Sequence, residues 1–145
     1  MSTEKAMLEM AKAGLKQATG ITDEDFEKYV QQYHNLKMLS RPEIFKYKLV
    51  AEVIESKYCG AGLRPGHKLV MRALPAVIVL EESDCPLCVR AIGPIASLVN
   101  GFWDRIIEGI DPNAGLWNIA HCADPGIDGG GLGHVKFKVY AQRSE

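Results

Sequence analysis

The sequence predicts an α+β fold, with an N-terminal helical pair followed by a small, mainly antiparallel sheet crossed by one helix. Three observations predict it. Apolar residues recur at helical spacing from Thr3 to Leu36. Two segments far apart, Phe45 to Val53 and Val135 to Val139, alternate apolar and polar residues with period two. Between them, the apolar run from Leu87 to Val99 returns to helical spacing. With 145 residues and 47% hydrophobic content the chain has material for one core, so residues 1–42 read as a helical arm and 43–145 as the core domain.

The first helix is expected from Thr3 to Lys16, where Ala6, Met7, Met10, Ala11 and Leu15 share a face. Gly20 offers a left-handed stop. Thr22-Asp23-Glu24-Asp25 has the form of a capping box with Asp in the last place, so Thr22 caps a second helix. That helix carries Phe26, Tyr29, Val30, Tyr33 and Leu36, and Ser40-Arg41-Pro42 ends it because the residue before proline disfavours helical geometry. The Met-rich stripe of the arm is a packing face, and a homodimer formed through it is the expected assembly.

Phe45 to Val53 opens the sheet. Arg64-Pro65-Gly66 is a turn, and strands are expected from Lys68 to Arg72 and from Ala76 to Leu80. A helix follows from Pro86 to Val99, capped by Asp84 or Cys85, with Pro94 kinking or splitting it. Leu116 to Ala120 is a short strand, Ala123 to Gly133 a glycine-rich loop, and Val135 to Val139 the closing strand. Lysines on the outer face of the first and last strands point to one solvated sheet face.

Seventeen Lys and Arg balance eighteen Asp and Glu for a net charge of −1, and the basic residues are scattered. Phosphate binding needs a concentrated positive face, so nucleic acid is not an expected partner. No apolar stretch is long enough to cross a bilayer, and Met1 to Gly20 lacks the continuous apolar run of a signal peptide. A cytoplasmic location is the expectation, and there Cys59, Cys85, Cys88 and Cys122 stay thiols or ligands rather than disulfides.

The cysteines form three stations. Tyr58-Cys59-Gly60 lies in a turn after the first strand, Asp84-Cys85-Pro86-Leu87-Cys88 at the start of the central helix, and His121-Cys122-Ala123-Asp124 at the head of the last loop. In this order of strand, cysteine, glycine turn, helix-opening cysteine and Cys-x-Asp, the chain resembles a family of small uncharacterised bacterial proteins. The resemblance spans about Lys46 to Ala141 and a core of roughly ninety residues. It implies a fold and a site location rather than a reaction, and it singles out Cys59, Gly66, Cys85, Cys122 and Asp124. Cys88 and the longer glycine insertion at Gly126 to Gly131 depart from the family pattern.

Two chemistries follow from the residues themselves. Cys59, Cys85, Cys88 and Cys122 could furnish four thiolates to zinc or iron, with His121 or His67 as substitutes. His121 and Asp124 would then act as acid–base groups beside the site. Only one Cys-x-x-Cys is present, where the strong zinc signature has two. Alternatively, Cys85-Pro86-Leu87-Cys88 reads as a redox pair whose first thiol is acidified by the helix N-terminus, although the βαβ context of thioredoxin-like sites is missing. Each cysteine alone reads equally well as a buried small hydrophobe. Taken together, the stations suggest a shared site. The glycine loop reads as a lid or hairpin, because phosphate loops feed a helix and this one feeds a strand. The leading expectation is a cysteine-centred site, metal-binding or acting on a small molecule. The alternative is a non-catalytic subunit docking a partner through its helical arm.

Overall fold

The computed structural model describes residues 3–72 and 76–144. The chain divides into two compact units, Met1–Ile44 and Phe45–Glu145. The first is helical: α1 spans Thr3–Thr19, α2 Asp23–Val30 and α3 Tyr33–Ser40. Gly20, at φ 72°, provides the left-handed stop of α1. The Thr22 side chain caps α2 by accepting the Asp25 N–H at 3.1 Å.

The expected second helix is therefore two helices. Gln32 turns extended (φ −76°, ψ 124°), and the Asn35 side-chain amide donates to the Tyr29 carbonyl, which also accepts the Gln32 N–H at the end of α2. Gln31-Gln32 carries neither glycine nor proline, so periodicity alone ran through the break.

The second unit is a four-stranded sheet with one long helix. β1 is Tyr47–Lys57, β2 Lys68–Arg72, β3 Ile119–His121 and β4 His134–Arg143, in the order β2-β1-β4-β3 with every neighbour antiparallel. β1 and β4 pair along nearly their whole length, with one irregularity between Val53 and Glu55. There β1 parts from β2, whose last bonds reach Val53 from His67 and Gly66, and continues alone with β4 toward Cys59.

The alternation of β4 is strict. Val135, Phe137, Val139 and Ala141 are buried, whereas His134, Lys136, Lys138 and Tyr140 lie on the other face. The outer face is not wholly solvated as expected, since Val50, Val70 and Val79 form a small buried cluster there with Tyr140 against it. The expected strand at Ala76–Leu80 reduces to a single bridge, Met71 to Ile78, flanked by the Arg72–Val77 and Val79–Val70 backbone bonds.

The central helix, α4, runs Val89–Glu108, starting and ending later than the sequence pattern indicates. Asp84 is held on β2, its carboxylate accepting the Lys68 N–H at 2.6 Å, so the chain reaches helical geometry only after Cys88, the N-cap. At the other end the apolar stripe of Ala91, Ile95, Val99, Phe102, Ile106 and Ile107 continues, and Gly109 (φ 76°) stops it. Phe102 and Phe137 are fully buried, and each such burial is worth about 1.5–3 kcal/mol.

Pro94 neither splits α4 nor ends it. Proline has no N–H to give the carbonyl four residues back, which here belongs to Arg90. That carbonyl instead accepts the Ala123 N–H at 2.9 Å, tying the segment after β3 to the first turn of α4. No helix among the described residues is long and apolar enough to cross a membrane.

Candidate functional site

Cys59 follows β1 in a tight turn. Its neighbour Tyr58 has a φ of 54°, the left-handed region that a non-glycine residue rarely occupies. The Gly62 N–H closes the turn on the Cys59 carbonyl at 3.2 Å, and the Ser56 hydroxyl donates to Leu63 O at 2.6 Å. Cys88 caps α4 with an extended backbone, leaving its side chain out of any capping bond. Cys122 leaves β3 with its N–H on Val135 O at 2.9 Å, and the next residue is the one bonded to Arg90 O.

These three thiols line one cavity of about 280 Å³. Its wall is mostly apolar, through Ala61, Leu63, Ala91, Leu132 and Val135, and it carries two charged side chains, Arg90 and Asp124. Three segments distant in the chain meet there. The pairing of β1 with β4 sets the first, the α4 cap the second, and the Ala123–Arg90 bond the third.

Cys85 is not on the cavity wall, and the expectation for its thiol is overturned. Burial, then the Asp84 carboxylate, then Cys59 and Cys88 push it up to about 11, so it stays protonated at neutral pH. The helix N-terminus that would have lowered it begins three residues further on, at Cys88. Among the described residues no group of three or more His, Cys, Asp or Glu side chains is placed to hold a metal ion. The set Cys59, Cys85, Cys88 and Cys122 therefore does not fit a resident tetrahedral zinc or iron ion as these residues stand.

His121 and Asp124 also part company. Successive side chains on a strand point to opposite faces, so His121 cannot share the cavity side with Cys122. It stacks edge-on against His134, ring centroids 4.8 Å apart, and His134 in turn lies 3.5 Å from Glu55. Its own pKa is lowered by desolvation first and by the neighbouring His134 and Lys136 next. Asp124 stays on the cavity wall, but its oxygens are committed: Oδ1 accepts the N–H groups of Gly126 and Leu132, and Oδ2 that of Gly133. Those three bonds hold its carboxyl below the usual range. Asp124 is a latch for the glycine loop, whose Gly131 N–H also bonds Gly126 O at 2.7 Å, rather than a proton acceptor.

His67, considered as a substitute ligand, accepts the Arg64 N–H through Nδ1 within its own turn. The sequence reading missed Arg90, whose position two residues after Cys88 in the opening turn of α4 was the available signal. It also missed Leu132 and Gly133, which the Asp124 latch brings to the wall. No family model, curated protein or solved structure matches this chain.

Proposed function

We propose that this protein binds a small molecule in the cavity bounded by Cys59, Cys88 and Cys122, with those thiols as its reactive groups. One observation carries the reading: cysteines from three distant segments line the same open, mostly apolar hollow. Small-molecule sites take this form, a concave apolar wall with few polar groups at defined points. Nearly 280 Å³ is far more room than a single ion needs, and Cys85 stands outside as a protonated neighbour.

A fragment screen by amide-resolved NMR tests it. Binders should shift Gly60, Ala61 and Gly133 together and slow alkylation of Cys59, Cys88 and Cys122 as a group. A screen in which no fragment maps there, with the three thiols labelling independently, overturns the reading. Elemental analysis of the same preparation is the second arm. Stoichiometric metal whose removal by a chelator exposes these thiols would make the site a metal centre instead.

A second reading, that the helical unit docks a partner, draws on α1. None of its seventeen residues is buried, and Met10 is 75% exposed. Met10→Glu should weaken any self-association seen by sedimentation, and an unchanged profile counts against this role.

A further inference from the structure

We infer that the cavity selects a small organic acid, whose carboxylate pairs with Arg90 while its apolar body faces Leu63, Leu132 and Val135. The inference rests on the small-molecule reading above and names the ligand class. Arg90 is the one cationic residue among those lining the wall, and its charge reaches Asp124 there. Asp124, the one carboxylate there, spends both oxygens on the backbone N–H groups of Gly126, Leu132 and Gly133. Arg90 acts on Asp124 only through space, without a hydrogen bond between them. The guanidinium therefore keeps its planar fork of donors for another acceptor, and a carboxylate matches that fork in two parallel bonds. The rest of the wall favours carbon over water, which suits an organic acid better than an inorganic oxyanion.

Arg90 also separates its two tasks by atom. Its carbonyl holds Ala123, and its side chain is free to vary without breaking that bond.

The cavity thiols supply their own reporter. Iodoacetate and iodoacetamide alkylate by the same step: the thiolate sulfur attacks the methylene carbon, the S–C bond forms as the C–I bond breaks, iodide leaves, and the thiol proton passes to solvent. The reagents differ in charge and little in size. Rates at each cysteine of the full-length protein are read by peptide mass spectrometry, with glutathione as the reference thiol. The iodoacetate-to-iodoacetamide rate ratio at Cys59, Cys88 and Cys122 should exceed that of glutathione by about fivefold, the worth of one partly exposed ion pair. Arg90→Gln should return the ratio to the glutathione value, and Arg90→Lys should keep part of the excess. The excess should shrink as salt rises from ~0.01 M to ~1 M, which a purely structural role would not produce. Butyrate should slow iodoacetate labelling more strongly than inorganic phosphate does.

A glutathione-like ratio at cavity thiols that still label saturably with iodoacetamide overturns the acid preference and leaves the cavity reading standing. Labelling that is unsaturable with both reagents removes the cavity reading, and the preference falls with it. Phosphate protecting as well as butyrate overturns the organic-acid class.

Discussion

Alanine at Gly133 tests whether the glycine loop and the Cys59 turn are pressed together. A Cβ at Gly133 would stand 3.1 Å from Tyr58 O and 3.4 Å from both Cys59 Cα and Asp124 Oδ2. The nearest of these is backbone, in a turn that already holds Tyr58 at a φ of 54°, so a few tenths of an ångström must come from the scaffold. Overpacking of this kind costs about 1–3 kcal/mol. Replacing any glycine by alanine also restricts the unfolded chain and returns about 0.4–1 kcal/mol. Gly60→Ala is the control, because nothing lies within 4 Å of its Cβ position and its backbone is not left-handed. The difference between the two variants isolates the steric cost, about 1–3 kcal/mol, with about 4–8 °C in Tm for each kcal/mol in a unit of this size. Urea and thermal melts followed by circular dichroism measure it, and Cys59 should alkylate faster in Gly133→Ala as its turn is displaced. Equal midpoints for the two alanine variants would refute the close approach of loop and turn.

Three further outcomes are expected. Phe137→Ala, at a fully buried position where β4 meets both β1 and β3, should cost about 3–5 kcal/mol in urea unfolding. Cys85 should alkylate slowly at neutral pH, with a rate midpoint near 11 instead of 9.0. Because its folded value is the raised one, its contribution to stability is complete below the unfolded value and is lost as pH climbs through the folded one. For Asp124 the sign reverses: its folded carboxyl is lowered, so the latch holds above the ordinary value of 3.8 and fails as pH falls through the lower one. The amide resonances of Gly126, Leu132 and Gly133 should stay fixed down to that pH and move together below it, while Asp124→Asn should shift them already at neutral pH.

The α+β architecture was legible because both periods are strong in this chain. The alternation of β1 and β4 and the apolar stripe of α4 each follow from which side chains must leave water. What escaped was decided by bonds between distant segments. The late start of α4 depends on Asp84 being held at Lys68, sixteen residues upstream. The division of the second helix depends on the Asn35 amide reaching back to Tyr29. Cys59, Cys88 and Cys122 line one cavity, whereas Cys85 does not. His121 was expected to act with Asp124 beside the site because adjacency in sequence was read as adjacency in space. On a strand it means opposite faces. Asp124 drew notice as a carboxylate, but its role lies in the three amides it gathers, and nothing in Asp124-Pro125-Gly126 announces a bond to Gly133 nine positions on.

Proline inside a helix is usually counted as a defect. Here the vacancy that Pro94 leaves on the Arg90 carbonyl is filled by a strand-end amide, which makes the imperfection an anchor point. Since both partners are main-chain atoms, the joint is indifferent to which side chains hang from residues 90 and 123. Changing the Arg90 side chain therefore leaves in place the bond that fixes the chain next to Cys122.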